Sequence, residues 1–444
     1  MERDIVFFLG AGFSADAGLP TMEHFGEASE RELAAMLRYD RYARTLLHTA
    51  GTHFEAFREH CTQYLLKTAR ADGASAQKIG NMEMLFCIAE ILREAQIDPE
   101  LVLCRSQPKQ LIGAHGLIQQ IQLWLWNIYR SLPPWSRELM RKRPGKIHPE
   151  PYEAFMSCIT EQDWRGRISV VTTNYDLLVE HYLWATADQL EWCAKYPLVL
   201  GTDCKDLPAG ASANPRRYLK WEDHEAIPVC KLHGSVNYFD LGRTGDNPVG
   251  VCDDLAHEGQ FIGKSGIPVY EPGHQSAVKL EKRDDRPAIL AVDAIWALRE
   301  RYGNSLVPAI IPPTYAKLQG HPWLRKIWKA AFRAIQNARL IVFIGYSMPP
   351  SDGFMRAMFQ AALAAAPGDP PEIYVINPFG REDEAEAEKE QRRRCYKDLF
   401  PLLEAEWAKR VIEGTDGKFA NCVDTWKEGG KMRKVLEQRV SRRE

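Results

Sequence analysis

The first twenty residues constrain the fold of this chain most, because they predict a buried strand, a glycine turn and the start of a helix. Residues 4–9 (DIVFFL) form a short apolar run, which is typical of a strand buried on both faces. Residues 10–14 (GAGFS) follow, and small residues there let the backbone turn sharply and approach a ligand. The N–H groups and positive dipole end of such a helix start suit a pyrophosphate. A nucleotide-binding α/β sheet is therefore the first expectation.

The glycine turn carries only half of the G-x-G-x-x-G dinucleotide fingerprint. Ala15 stands where the third glycine belongs, and a lone G-x-G after a strand is a weak signal. No catalytic lysine, tyrosine or His–Asp relay of a dehydrogenase is recognisable in the sequence. A hydride-transferring enzyme is therefore the least favoured nucleotide-binding class.

Composition argues against several other classes. Of the 444 residues, 45% are hydrophobic and 26% are charged, as in ordinary globular proteins. The formal net charge of −2 gives no global field that attracts nucleic acid, so we expect no direct nucleic-acid binding. No apolar run approaches the roughly 18–20 residues that span a bilayer, and no signal peptide is recognisable. A cytoplasmic location without membrane association is therefore expected.

Metal and redox motifs are also missing from the sequence. The ten cysteines include no C-x-x-C pair, so neither a zinc ribbon nor a dithiol redox motif is indicated. The histidines show no H-x-x-x-H or H-E-x-x-H spacing, and no metal site is therefore expected.

Apolar spacing divides the rest of the chain into helical and strand-rich parts. Residues 24–160 carry apolar residues three and four positions apart, a pattern that predicts a helical insertion after the first strand. The predicted fold is an α/β, Rossmann-like parallel sheet with helices on both faces and this large insertion. Further strand runs lie at residues 168–173, 228–235, 306–312, 340–344 and 372–378, and loops with short hairpins are predicted over about residues 236–285.

Most of these predicted strands end in a small or polar group. The groups are GAGFS, TTNYD, LHGS, GYS and INP. Ligands of open parallel sheets bind outside the carboxyl ends of the strands. Five such ends therefore predict one composite site, and this is a stronger argument than any single motif.

The motifs at these ends, in this order, resemble those of the sirtuin superfamily. Residues 1–20 and about 165–380 carry the resemblance, and the helical insertion and the tail lie outside it. The similar motifs are an N-terminal NAD-binding motif at residues 10–14 with 18–20 (GLP), an asparagine-containing strand end at 172–176, a catalytic-histidine motif at 232–235, and later cofactor motifs at 345–347 and 376–377.

The form of these motifs is closest to the sirtuin-like domains of bacterial antiphage defence systems, which the resemblance implies are NAD hydrolases. Protein-deacylating sirtuins carry paired C-x-x-C motifs for a structural zinc module, and this sequence has none. The helical insertion is a second departure. The resemblance thus implies NAD+ as substrate, no metal, a sirtuin-like NAD-binding domain at residues 1–23 and 161–380, a helical subdomain at 24–160 and a C-terminal helical tail at 381–444.

The resemblance also implies roles for individual residues. Asn174 and His233 are the expected catalytic residues, since an amide can hold ribose hydroxyls or the attacking water and an imidazole can accept a proton near neutral pH. The expected cofactor-binding residues are Gly10, Ala11, Gly12, Ser14, Pro20, Thr173, Asp176, Gly234, Gly345, Ser347 and Asn377.

Structural roles compete with these assignments. Asn174 can cap the helix that follows its strand, and His233 before a glycine can be a core histidine. Ser14 and Ser347 can be helix caps, and Asp352 can begin a helix. The placement of Asn174 and His233 at the ends of neighbouring predicted strands favours the catalytic interpretation for these two.

Three functions remain open at this point. The first is an NAD+ glycohydrolase acting in antiphage defence through NAD+ depletion and abortive infection. Such an enzyme must be held inactive until a trigger arrives, which implies homo-oligomerisation or an activating partner such as a ring-forming ATPase, an Argonaute-type protein or another defence component. The second is an NAD-dependent protein deacylase or ADP-ribosyltransferase. The third is a non-catalytic module that binds NAD or ADP-ribose.

Overall fold

The computed structural model describes the central sheet and the elements packed on it. The described residues are 3–15, 17, 19, 89–96, 118, 122, 125, 129, 150–179, 227–240, 249–251, 268–270, 277–279, 307–311, 318, 321–348, 352–377, 394 and 419–441. Most of the predicted helical insertion lies outside them. No helix among these residues is long and apolar enough to cross a membrane.

The described elements are ten strands, seven α-helices and a 3-10 turn. In chain order they are β1 (Ile5–Leu9), α1 (Ala11–Ala15), α2 (Glu150–Ile159), α3 (Gln162–Arg165), β2 (Ile168–Thr172), β3 (Val229–Lys231), β4 (Gly234–Asp240), β5 (Val249–Val251), β6 (Pro268–Tyr270), β7 (Ala277–Lys279), β8 (Val307–Ile310), α4 (Pro322–Gln336), β9 (Leu340–Ile344), α5 (Gly353–Ala364), β10 (Glu372–Ile376), a 3-10 turn (Phe419–Asn421), α6 (Val423–Trp426) and α7 (Lys431–Ser441).

The main sheet has five parallel strands in the order β10-β9-β1-β2-β3. The chain builds outward from β1 through β2 to β3, and then returns to place β9 on the other side of β1. This reversal makes the gap between β1 and β9 the topological switch point, where α/β sheets bind ligands. All five residues of each of the strands β1, β2 and β9 are buried. Burial on both faces explains why these strands are largely apolar runs.

Helices cover both faces of this sheet, because alternate residues of β1 point to opposite sides. Phe7 packs against Phe155 of α2, with ring centroids 5.3 Å apart, and against Trp426 of α6 at 6.1 Å. Phe8 packs on the other side against Phe359 of α5, at 5.2 Å. The predicted Rossmann-like fold with helices on both faces is confirmed.

The segment around the predicted catalytic histidine differs from its sequence prediction. Residues 228–235 were expected to form one strand, but they contain the whole of β3 and the start of β4. The latter pairs with β5 and β8 in a separate antiparallel sheet. Gly234 makes the change of direction with a φ of +77°, and a Cβ there would lie 1.8 Å from the carbonyl oxygen of Ala309. Only glycine fits this transition between sheets.

A buried ion pair closes the amino edge of the main sheet. The Arg167 guanidinium binds both carboxylate oxygens of Asp4, at 2.8 and 2.7 Å, and the two side chains are 5% and 3% exposed. Arg167 also donates to the carbonyl of Arg439 in α7, and Arg439 pairs with Glu372 at 2.7 Å. The C-terminal helix is therefore tied to three strands of the sheet.

Residues 419–441 pack on the sheet face that α2 also covers. Phe419 contacts Phe13 and Tyr152 with ring centroids 4.9 and 5.1 Å apart, and Arg433 pairs with Glu161 beside α3. The predicted domain boundaries at residues 23, 160 and 380 stay predictions, and the chain around residues 23 and 380 lies outside the described residues.

Candidate functional site

The five predicted strand-end groups lie along one edge of the main sheet. The strands are parallel and in matched register, with Leu9 opposite both Thr172 and Ile344, and Ile344 opposite Ile376. Their carboxyl ends therefore finish at the same level. The predicted parallel sheet thus brings these groups to a common edge, whereas a composite site there and the roles of its individual residues stay predictions.

The glycine turn after β1 interlocks with the turn after β9. The Gly10 amide donates to the carbonyl of Ile344 at 2.9 Å, and the Gly12 amide donates to the carbonyl of Gly345 at 2.8 Å. A Cβ on Gly10 would lie 2.6 Å from the Gly345 oxygen, and one on Gly12 would lie 2.8 Å from the Gly345 Cα. The close backbone approach that the glycines allow is thus made to another turn of the protein. The N–H groups of Gly10, Gly12 and Phe13, which were expected to face a pyrophosphate, are therefore bonded to carbonyl groups of the protein.

Replacing Gly345 by alanine is expected to destabilise the fold by about 3 kcal/mol, since a left-handed φ and overpacking each cost about 1–3 kcal/mol. Gly345 has a φ of +63°, and an added Cβ would lie 2.0 Å from the backbone nitrogen of Phe13. Gly368→Ala is the matched control, because nothing lies within 4 Å of its added Cβ. Urea denaturation measures both variants, and equal stability of the two would contradict the interlocked turns.

Asn174 bridges the ends of β2 and β1. Its Nδ2 donates to the carbonyl of Gly10 at 2.8 Å and to Oγ of Ser14 at 2.9 Å. The Gly10 carbonyl can only accept a hydrogen bond, which identifies the amide atom facing it as the nitrogen. The amide oxygen accepts no hydrogen bond from any residue that the structure describes. Asn174 therefore presents an oriented acceptor beside the glycine turn.

The helix-capping role considered for Asn174 belongs to Asp176 instead. The buried Asp176 carboxylate accepts a hydrogen bond from the amide of Leu178 at 3.0 Å. The nearby Thr173 amide donates to the carbonyl of Leu9 at 3.2 Å. Both contacts stabilise the turn locally, and a contact of either residue with a cofactor stays a prediction.

His233 lies in the turn between β3 and β4, and Asn174 lies just beyond the neighbouring strand β2. Thr172 of β2 is opposite Lys231 of β3, so Asn174 and His233 each come two residues after a paired position. His233 is 3% exposed, its ring centroid lies 6.2 Å from that of Tyr175, and its carbonyl accepts from the amide of Ile311 at 2.8 Å. The two predicted catalytic residues are therefore brought to neighbouring strand ends.

The ends of β9 and β10 form the other half of the edge. Asn377 is buried and its Nδ2 donates to the Tyr346 carbonyl at 3.1 Å, which braces the turn after β9. Ser347 in that turn is exposed. Asp352 accepts from the Met355 amide at 3.3 Å and from the Tyr346 hydroxyl at 2.7 Å, so it caps α5 as its alternative interpretation predicted.

Two of the predicted cofactor-binding positions, Pro20 and Ala11, have no described contact that bears on the site. Pro20 lies outside the described residues. Ala11 begins α1 with an exposed side chain, and its cofactor contact stays a prediction. Metal coordination finds no support in the described part of the chain, where no group of three His, Cys, Asp or Glu side chains can hold an ion.

Sequence reasoning missed Lys231, which is 1% exposed at the end of β3. Its Nζ donates to the carbonyl of Asp176 in the turn that carries Asn174. The sequence signal was a lysine inside the apolar run PVCKLHGS, because lysine is almost never fully buried unless it has partners. A residue of this kind at a strand end is a candidate for a role in the site.

Burial keeps the described cysteines near the sheet protonated. It raises the pKa of the Cys158 thiol to about 12 and raises the pKa of the Cys230 thiol, beside Lys231, further still. Since the thiolate is the nucleophilic form, neither residue is suited to nucleophilic catalysis.

No protein-family model matches the chain, and no curated protein matches it either. Among solved structures, the chain is similar to Sir2Tm bound to a propionylated peptide, with a TM-score of 0.27, 11% identity, and coverage of 89% of this chain and 93% of that chain. It is also similar to a Sir2 enzyme solved for the mechanism and regulation of Sir2 enzymes, with a TM-score of 0.27, 12% identity, and coverage of 90% and 93%. The Rossmann-like description rests on the strand order and not on these similarities.

Proposed function

We propose that this chain is an NAD+ glycohydrolase that cleaves NAD+ to nicotinamide and ADP-ribose. The observation that carries the proposal is the equal offset of Asn174 and His233 beyond the paired residues Thr172 and Lys231. An amide-bearing and an imidazole-bearing residue thereby follow the ends of neighbouring strands, one strand away from the switch point between β1 and β9. Dinucleotides bind across such a switch point in Rossmann-like folds.

The reaction breaks the bond from C1′ of a ribose to the pyridinium nitrogen. The electron pair of that bond returns to the ring and gives neutral nicotinamide, so the leaving group needs no protonation. Water bonds to C1′, and its proton passes to a base and then to solvent. The site must therefore stabilise positive charge on the ribose and position one water, and it needs no strong general acid.

The two catalytic candidates suit these tasks. Asn174 offers an amide oxygen with a fixed orientation, because its nitrogen is held by Gly10 and Ser14. That oxygen can accept a hydrogen bond from a ribose hydroxyl or from the attacking water. His233, in the turn that follows the adjacent strand β3, can accept the proton of the water or of a ribose hydroxyl.

The sheet order suggests how the dinucleotide lies. If the nicotinamide ribose lies over the ends of β2 and β3, the diphosphate crosses the β1 turn at the switch point. The adenosine half then lies over the ends of β9 and β10, near Ser347 and Asn377. This orientation uses all five strand ends and accounts for most of the predicted cofactor-binding residues.

We also propose that the activity is triggered and serves antiphage defence. Continuous loss of NAD+ would kill the host cell, so an enzyme of this kind needs a resting state. The trigger acts through homo-oligomerisation or through a partner protein of the same defence system, as the resemblance of the strand-end motifs suggests. Much of the chain outside the main sheet is available for such contacts.

The direct test is to incubate the purified full chain with NAD+ and to measure nicotinamide by chromatography. The assay is run with the chain alone at rising concentration and with the products of its neighbouring genes. We expect nicotinamide release without any acyl-lysine peptide in at least one of these conditions. NAD+ consumption that requires an acyl-lysine peptide, or NAD+ binding without turnover in every condition, would contradict the proposal.

A further inference from the structure

We propose that Lys231 is a positioning residue of the reaction, which holds the turn of Asn174 in a fixed place relative to His233. The inference rests on the proposed NAD+ cleavage at this edge and adds a residue that the strand-end motifs do not assign. Lys231 ends β3, and its ammonium reaches the neighbouring strand end through the Asp176 carbonyl.

Residues 231–236 donate hydrogen bonds to the backbone carbonyls of the turn after β2 that carries Asn174 (residues 173–178, the Asn174 turn). Lys231 Nζ donates to the carbonyl of Asp176. The Val236 amide and the Ser235 hydroxyl both donate to the carbonyl of Tyr175, at 3.0 and 3.3 Å. His233 lies in the middle of this donor segment, so the turn and the histidine belong to one hydrogen-bonded unit.

The same turn is held on its other side by the end of β1. Asn174 donates from its side chain to Gly10 and Ser14, and the backbone amide of Thr173 donates to the Leu9 carbonyl. The turn is thus held on one side by β1 and on the other by residues 231–236. Removal of the Lys231 ammonium leaves the Asn174 side-chain contacts and the two hydrogen bonds to the Tyr175 carbonyl in place, but it releases the Asp176 carbonyl and lets this part of the turn shift relative to His233.

A buried lysine is an unusual residue at a position whose role is only structural. An ammonium that is 1% exposed has lost nearly all of its hydration, which costs free energy even when hydrogen bonds replace it. A methionine has a similar length and fills the same space without that cost. The charge strengthens the hydrogen bond to the Asp176 carbonyl, since charge-assisted bonds are about twice as strong as neutral ones. The benefit of the buried charge is then a turn that is held in one position.

The test replaces Lys231 by methionine in the full chain, under the condition in which the parental chain cleaves NAD+. A misplacement of about 1 Å can cost on the order of 10²-fold in rate, so we expect kcat to fall by about 10- to 100-fold, with KM changed less than about threefold. A Lys231→Met variant with parental kcat would overturn the inference.

Trp328→Phe is the matched control. Its indole N–H donates to the carbonyl of Leu232 at 2.9 Å, so the variant loses a hydrogen bond to the same segment without touching the Asn174 turn. We expect Trp328→Phe to keep a parental kcat even if its melting temperature falls as far as that of Lys231→Met. Equal loss of kcat in both variants would show a general weakening of the β3 end and would overturn the positioning role.

Hydrogen exchange provides a readout that does not depend on NAD+ cleavage. In Lys231→Met, amides of residues 173–178 are expected to exchange at least about tenfold faster than in the parental chain, while amides of β9 stay unchanged. If the parental chain never cleaves NAD+ but this change appears, the proposed function fails and the anchoring by Lys231 stands. Unchanged exchange in residues 173–178 would overturn the anchoring whatever the activity.

Discussion

His233→Ala is expected to lower the rate of NAD+ cleavage by about 10²- to 10⁴-fold, the usual contribution of a positioned acid–base group. The measurement is nicotinamide release by the purified variant under the condition that activates the parental chain. NAD+ binding, followed by calorimetry, should change little, because the imidazole is assigned to proton transfer and not to holding the dinucleotide.

Asn174→Ala should give a loss of similar size, since it removes the oriented amide oxygen. Asn174→Asp is the sharper variant, because a carboxylate cannot donate to the Gly10 carbonyl that now accepts from Asn174 at 2.8 Å. The variant keeps the shape of the side chain but places a carboxylate oxygen against the Gly10 carbonyl oxygen, which repels it. We expect this variant to be as inactive as the alanine variant.

Lys329→Ala is a suitable control for these variants, because Lys329 is exposed on α4. All four proteins are compared by melting temperature, so that a loss of activity is not confused with a loss of fold. Parental cleavage by either His233→Ala or Asn174→Ala, with the fold intact, would show that the role assigned to that residue is wrong.

Arg167→Met is expected to destabilise the protein by about 3–5 kcal/mol, the usual cost of leaving one charge of a buried ion pair without its partner. The Asp4 carboxylate would remain 3% exposed with both of its guanidinium hydrogen bonds removed. Urea denaturation followed by circular dichroism measures the difference in the free energy of unfolding.

Two further variants test whether the loss of stability in Arg167→Met comes from a buried charge without a partner or simply from the loss of an ion pair. The double variant Asp4→Asn with Arg167→Met removes both charges and should recover part of the lost stability. Arg433→Met breaks the more exposed pair with Glu161, whose side chains are 24% and 30% exposed, and should cost only about 1 kcal/mol. A loss below about 1 kcal/mol for Arg167→Met would contradict the structural importance of the buried pair.

Local sequence patterns were sufficient to predict the strands of the main sheet and the edge that carries the candidate site. The runs at β1, β2 and β9 are largely apolar because both faces of these strands are buried, whereas the edge strand β10 is partly exposed at Glu372 and Tyr374. Parallel strands align their carboxyl ends, so the polar groups after each run had to meet. The same logic placed Asn174 and His233 side by side.

The details that sequence could not predict depend on contacts between distant segments. The division of residues 228–235 between two sheets follows from the fit of Gly234 against Ala309, about 75 positions away. Gly10 and Gly12 pack on Gly345 in the same way, so a glycine pattern typical of ligand contact also serves contact between turns. No local pattern distinguishes these two uses.

The packing of residues 419–441 was likewise beyond local patterns. Phe419 and Trp426 lie in the core beside Phe155, although the sequence of this region shows only a helical tail without assignable chemistry. Amphipathic spacing predicts that a helix buries one face, but it does not say which partner that face meets. The buried Lys231 was visible in the sequence, but its partner, the carbonyl of Asp176, was not.

The central claim is that water cleaves NAD+ at the edge that carries Asn174 and His233. The most direct measurement is mass spectrometry of the products formed by the activated full chain in water enriched in ¹⁸O. The account predicts one nicotinamide and one ADP-ribose per NAD+ consumed, with the ADP-ribose carrying a single ¹⁸O atom on the ribose C1′. ADP-ribose attached to protein, acyl-ADP-ribose as the product, or no cleavage under any activating condition would contradict it.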